Sequence, residues 1–163
     1  MKDKVYLGID PGINGGIAGI RIQDDGSTLV NAFKCPRDLT DMANNIRIFT
    51  AGVESEDVHI IIEQVHSMPK QGVKSTFTFG VNYGAWLGIL GCLELTYDKV
   101  RPQAWQSIYD KSGFGTEYRD RKNGLKNLAI KLFPSHKITL YTCDALLIAN
   151  YCKTIHNRKD NNE

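Results

Sequence analysis

Val5-Tyr-Leu-Gly-Ile-Asp10-Pro-Gly-Ile-Asn-Gly-Gly-Ile-Ala-Gly-Ile20 is an apolar strand that ends on an aspartate, turns through glycines and returns apolar. Asp10 therefore stands at the mouth of a sheet. A carboxylate that closes a buried strand is costly unless it is hydrogen-bonded or held by a cation. Pro11-Gly12 and Gly15-Gly16 punctuate the turn, and they let a bulky anionic ligand approach the backbone without side-chain interference. Two chemistries suit the stretch: a loop that cradles a phosphate, and a carboxylate that ligates a metal. The plain alternative is a hairpin whose aspartate caps its own turn. The choice turns on whether further carboxylates arrive at the ends of other core elements.

Two do. Val58-His-Ile-Ile-Ile62 is a β-branched run suited to an interior strand buried on both faces, and it ends at Glu63. Parallel neighbouring strands bring their ends together, so Asp10 and Glu63 meet if these two strands are adjacent. Two close, unpaired carboxylates either share a proton or hold a divalent cation. The third acid is Asp144, in the first turn of a helix predicted from Cys143 to about Thr154 with Thr142 as its cap. The helix dipole accounts for an acid there. It does not account for an acid opening a helix apolar enough, through Ala145-Leu-Leu-Ile-Ala149, to be packed into the fold.

The remaining pattern predicts an α/β chain. Residues 16–23 and 28–35 read as strands joined by Asp24-Asp25-Gly26-Ser27, which makes the start a three-stranded meander. Asp38 to Ala51 is helical by the spacing of Leu39, Met42, Ala43, Ile46 and Phe49; the acidic residues 54–57 form a loop. A polar, basic connection over 67–76 leads to a helix from Phe77 to Leu93 in which Gly80, Gly84, Gly88 and Gly91 recur. Such a stripe predicts a closely packed backbone, either the sheet or a second subunit. Leu95 to Val100 is the fifth strand. Arg101-Pro102 opens a short helix with Ala104, Trp105 and Ile108 inward, Trp105 as core. After a glycine-bearing loop over 112–118, a helix runs to about Phe133. Its inward stripe is Leu125, Leu128, Ala129 and Leu132, with Lys122, Lys126 and Lys131 toward solvent. Residues 1–155 are expected to form one domain and residues 156–163 a polar, frayed tail.

At 163 residues the chain is long enough for a real core but short for two domains. A net charge of +2 names no partner. It is unevenly spread: from Lys99 to Lys137 there are nine Lys or Arg against three Asp or Glu. That segment suits a face for polyanions, and equally a solvated helix surface. Cys35, Cys92, Cys143 and Cys152 have no CxxC spacing, and no basic-then-apolar leader precedes them. Together these point to a reducing, cytoplasm-like compartment. No apolar run approaches a membrane span. His59, His66, His136 and His156 are scattered without a zinc pattern.

Gly8-Ile-Asp-Pro-Gly12, Ile62-Glu-Gln-Val65 and Asp144-Ala-Leu-Leu-Ile-Ala149 occur in an order and spacing that resembles the RuvC-like Holliday-junction resolvases. The stretches around Gln71-Gly72, Pro102 to Gln106 and Leu132-Phe-Pro134 look more like the versions carried by bacteriophages than the cellular enzyme. The resemblance spans roughly residues 5 to 152. It implies a ribonuclease H-like α/β fold: a mixed five-stranded sheet, an antiparallel meander plus two parallel strands, flanked by helices. It further implies a homodimer that binds a four-way DNA junction and nicks two opposing strands symmetrically, in a bacterial host cytoplasm if phage-encoded. Asp10, Glu63 and Asp144 match the family's metal-binding acids. The cellular family has a fourth acid three positions before the one Asp144 matches; here that position is Tyr141. His66 stands where the cellular enzyme places an aromatic beside DNA.

Two Mg²⁺ ions about 4 Å apart, with Mn²⁺ as a substitute, suit phosphodiester hydrolysis: one generates the nucleophile and the other stabilises the leaving oxygen. Candidate DNA contacts are Lys70, Gln71, Lys74, Ser75, Arg101, Lys111, Arg119, Arg121, Lys122 and Lys126. Three other readings compete. One is a same-fold nuclease acting on flaps, forks or packaging intermediates. Another is a junction-binding architectural protein that has lost catalysis. The third, an actin-like ATPase, needs two such domains, and the chain is too short for them.

Overall fold

The glycine turn is a β-hairpin. Strand β1 (Lys4–Asp10) runs antiparallel to β2 (Gly16–Ile22), with Asp10 directly opposite Gly16. In the computed structural model, which describes residues 2–64 and 72–160, β3 (Thr28–Lys34) continues the meander. Strand β4 (Val58–Glu63) pairs parallel with β1 on its other side, and β5 (Asp98–Val100) pairs parallel with β4. The order β3-β2-β1-β4-β5 is a mixed five-stranded sheet, as expected. Because β1 and β4 are parallel neighbours, in register from Val5 opposite Val58 to Ile9 opposite Ile62, their carboxyl ends and the acids on them arrive together.

The two-residue alternation of β1 sorts its side chains between two cores. Val5, Leu7 and Ile9 pack with Ile60 and Ile62 against helices α1 (Leu39–Thr50) and α2 (Val73–Cys92), meeting Met42, Ile46, Phe49, Trp86 and Leu90. Tyr6, Ala18, Ile20 and Ile61 face the opposite way, toward α5 (Cys143–Asp160). Trp105 of α3 (Pro102–Gln106) and Leu125 and Ala129 of α4 (Tyr118–Leu132) complete that layer. Each buried Leu, Ile or Trp contributes roughly 1.5–3 kcal/mol relative to exposure, which commits the sheet to being covered on both faces.

Gly8 decides how closely α5 lies on the sheet. A Cβ there would stand 2.2 Å from the Ala145 carbonyl oxygen and 2.3 Å from the Ala149 amide nitrogen. The helix therefore crosses β1 backbone to backbone, two residues before Asp10. The close approach that the sequence suggested for α2 is thus found on β1. At Gly80, Gly84, Gly88 and Gly91 a Cβ would meet nothing within 4 Å, so the sheet is not the neighbour of that stripe.

Other boundaries differ in detail. Helix α2 starts at Val73, earlier than Phe77, and β5 is confined to 98–100. A 3-10 turn, Ser55–Asp57, replaces the loop at 54–57. Ala104 and Leu132 are exposed rather than inward. Helix α5 continues to Asp160, beyond Thr154, with His156 stacked on His59 at 4.1 Å between ring centroids. No helix among the described residues is long and apolar enough to cross a membrane. His66, Lys70 and Gln71 lie outside the described residues.

Candidate functional site

Asp10 at the end of β1, Glu63 at the end of β4 and Asp144 in the first turn of α5 line one cleft of about 1350 Å³. Each reaches it for a separate local reason. Gly15 is required beneath Asp10, because a Cβ there would fall 2.0 Å from the Asp10 carbonyl oxygen. Gly12 has φ +110°, a conformation that favours glycine, and its N–H donates to Asn82 Oδ1 on α2 at 2.7 Å. Asn82 Nδ2 in turn donates to Cys35 Sγ at 3.3 Å, so one α2 side chain ties the turn after Asp10 to the end of the meander. Glu63 is buried, and its Oε1 accepts from Trp105 Nε1 at 2.7 Å. Asp144 is carried by the helix that Gly8 admits; its Oδ2 accepts from Lys122 Nζ and its Oδ1 from Cys143 Sγ at 3.3 Å. The Thr142 hydroxyl is engaged in the preceding turn, accepting from the Thr139 N–H at 3.1 Å.

The electrostatics follow from three acids in one partly dry place. Burial raises the Asp10 pKa well above the usual carboxylate range, and Glu63 and Asp144 raise it further while Lys122 opposes. Burial also raises Glu63, the Trp105 hydrogen bond works against it, and Asp144 adds to the rise. For Lys122 burial disfavours the charged form. The Asp144 carboxylate, through charge and hydrogen bond, and Asp10 more than offset this, so its pKa is raised. Burial first, then Asp144, pushes the Cys143 thiol up to about 12, which makes it a donor rather than a thiolate.

The donor set suits a hard divalent cation. All three acids offer oxygen, and no hydrogen bond to the Asp10 carboxylate is found among the described residues. Burial first, and the neighbouring carboxylates after it, raise the Asp10 and Glu63 pKa values, and a bound cation would offset both. Among the described residues no three His, Cys, Asp or Glu side chains stand close enough to hold an ion without adjustment. Instead Lys122 supplies the positive charge at Asp144.

Of the residues expected to meet DNA, Lys74, Ser75, Arg119 and Lys122 line the same cleft as the acids. Arg101, Lys111, Arg121 and Lys126 do not line it; the first three are exposed and Lys126 is half-buried. Lys122 departs from the solvent-facing position its helical spacing suggested, because α4 packs on α5 and turns that lysine onto Asp144. Trp105 is core, as expected, and also a hydrogen-bond donor to the site. Asn82 and Tyr118 carry no sequence signal that would have named them as site residues, whereas Tyr141 stands at the position where the resembled family has its fourth acid.

No family model matches the sequence, and no curated protein matches it. Solved structures do match by fold. Thermus thermophilus RuvC in complex with a Holliday junction substrate aligns with TM-score 0.61 at 12% identity, over 95% of this chain and 96% of that one. A second Thermus thermophilus RuvC structure aligns with TM-score 0.56 at 15% identity, over 96% of each chain. The mixed sheet and its helical layers are therefore the ribonuclease H-like fold of RuvC, along nearly the whole length of this chain.

Proposed function

We propose that this chain is a RuvC-like, metal-dependent endodeoxyribonuclease of the kind bacteriophages carry, which binds four-way DNA junctions as a homodimer and nicks two opposing strands. The observation that carries the reading is the convergence of Asp10, Glu63 and Asp144, from β1, β4 and α5, on one cleft whose lining also includes Lys74, Arg119 and Lys122. The structural likeness to a junction-bound resolvase supports the choice of substrate.

Asp10, Glu63 and Asp144 are the residues that would hold divalent cations, Mg²⁺ or Mn²⁺. When bound, these supply an acidified water and offset charge on the reacting phosphoryl group. The chain's own residues set the conditions. Trp105 keeps the Glu63 carboxylate in place and favours its charged form. Asn82 holds the turn behind Asp10. Lys122 balances the charge of Asp144 and offers a positive charge to an entering phosphate. Lys74, Ser75 and Arg119 extend the phosphate track from the same cleft, and Arg101, Lys111, Arg121 and Lys126 continue it outside; Lys70 and Gln71 are further DNA contacts on the sequence alone. Selection of a junction over linear duplex rests on shape, since phosphates carry no sequence information. A two-fold dimer places two such sites on strands of like polarity. The open glycine stripe of α2 and the exposed Val73, Phe77 and Val81 beside it support that face as the dimer contact.

The test compares nicking of four-way, three-way, flap and linear DNA at equal concentration in Mg²⁺. Paired nicks confined to the four-way junction, abolished by Asp10→Asn or Glu63→Gln with binding retained, are the expected result. Preferential cutting of flaps or forks assigns a different branched substrate to the same site. Charge reversal of Arg119, Arg121 and Lys122 together should weaken binding and reduce its salt slope by about one unit per lost phosphate contact.

A second reading, a junction-binding protein without catalysis, draws on the absence of a closely gathered acid cluster among the described residues and on Tyr141 standing where the cellular family has a fourth acid. Tight junction binding with no nicking in either Mg²⁺ or Mn²⁺ would select it.

A further inference from the structure

The acids and cations of the cleft leave its apolar side unused. Ile13, Leu140 and Tyr141 line the cleft beside Asp10 and Asp144 and remain 46%, 46% and 40% exposed. Large apolar side chains left in water beside a charged site mark a surface kept for a ligand. Their placement is built in. Ile13 lies in the turn between β1 and β2, and Leu140 and Tyr141 lead into α5. The Tyr141 backbone lies against the start of β2, its carbonyl oxygen 2.7 Å from where a Cβ on Gly16 would be. Lys34, opposite Gly16 in the sheet, holds its ammonium 3.9 Å from the Tyr141 ring centroid. Lys34 itself does not line the cleft, so this cation–π contact braces the ring while leaving part of it open to the cavity.

An occupant must match both characters of the cleft, positive at Lys74, Arg119 and Lys122 and apolar with an aromatic ring at the other side. A nucleotide combines an anionic phosphate with a flat apolar base, and base stacking on an aromatic ring tolerates any sequence. We propose that Ile13, Leu140 and Tyr141 form a shelf for one unstacked nucleobase of the strand being cut, with the Tyr141 ring as its stacking face. The inference rests on the nuclease reading above and adds to it how the strand is held: the base is seated beside the acids, so the adjoining phosphate is presented to them. A four-way junction suits such a shelf because bases at its centre unstack at lower cost than those within an arm.

The experiment places 2-aminopurine at successive positions through the centre of a four-way junction and follows its fluorescence with the Glu63→Gln protein, so that the strand stays whole. Anisotropy on the same samples measures binding. The expected result is a change of at least twofold on binding at one or two adjacent positions. Adding Tyr141→Phe retains it, and adding Tyr141→Ala or Ile13→Ser removes it at equal saturation. Coincident profiles for the Tyr141→Ala and Tyr141→Phe proteins at equal saturation overturn the shelf and leave the junction reading standing. Failure of the parent protein to bind the junction overturns both. Equal thermal midpoints for the two Tyr141 variants ensure that their comparison reports the ring and not the fold.

Discussion

The indole N–H of Trp105 donates to Glu63 Oε1 at 2.7 Å, joining the short helix α3 to the end of the central parallel strand β4. Both side chains are buried, and the bond favours the charged carboxylate that burial disfavours. Trp105→Phe keeps most of the volume and removes the donor. Stability should fall by about 1–3 kcal/mol, the cost of leaving a buried acceptor unsatisfied, read by urea unfolding. The Glu63 pKa should rise further, so the acid limb of the nicking rate should move to higher pH. An unchanged limb would show that the indole is packing alone.

The raised carboxyl pKa values at Asp10 and Glu63 make a signed statement about stability. The folded chain binds more protons than the unfolded one between the ordinary carboxylate range and the raised values. The stability these groups contribute is therefore present below that window and lost as pH rises through it. In EDTA, the thermal midpoint of the wild-type protein should fall relative to Asp10→Asn as pH rises from the ordinary carboxylate range through the raised pKa values. At the upper end Asp10→Asn should be the more stable by on the order of 1 kcal/mol, roughly 2–4 °C for a chain of this size. Saturating Mg²⁺ should narrow or reverse the gap. Parallel midpoints across the range would contradict the crowding of charge at the site.

Two glycines should respond in opposite directions. Gly8→Ala drives a Cβ into the backbone of α5 at Ala145 and Ala149, where nothing flexible can give way. The cost should reach about 3 kcal/mol or more, with nicking lost as Asp144 is displaced. Gly84→Ala meets nothing within 4 Å and should stabilise the monomer by about 0.5–1 kcal/mol through helix propensity. Sedimentation at several concentrations then tests the α2 face directly, since the same methyl group should weaken self-association.

Asn82 touches none of the acids, yet it holds the Gly12 N–H behind Asp10. Asn82→Leu should raise the Mg²⁺ concentration needed for half-maximal nicking by roughly tenfold, in line with other groups that orient metal-binding residues. Asn82→Asp keeps an acceptor for Gly12 and should restore much of the lost affinity. Isothermal titration with Mg²⁺ reads the same difference without turnover. Equal affinities for both variants and wild type would leave Asn82 a purely structural tether.

Much of the architecture was legible because it is periodic. The apolar runs in Val5 to Ile9 and Val58 to Ile62 and the nearly uniform apolar stretch Ala145 to Ala149 identify two central strands and one buried helix without reference to contacts. Each leads directly into or out of an acid, so the three carboxylates stood out as well. The glycine stripe of α2 suggests a close backbone neighbour that the described residues do not supply, because composition alone does not say which glycine is satisfied within the chain. Gly8 is so satisfied and Gly84 is not. Lys122 was assigned to solvent because helical spacing predicts which face turns inward and says nothing of what waits there.

The local sequence of this protein determined its strands, its glycine turns and the identity of its acids, because backbone propensity and hydrophobic period act over a few neighbouring residues. Only the tertiary structure decided that β4 lies parallel beside β1, that α5 rides on Gly8, that Trp105 and Lys122 reach the acids from α3 and α4, and that Asn82 of α2 holds the turn behind Asp10. Those relations join residues tens of positions apart. They arise from covering both faces of one sheet at once, a constraint that no single segment carries.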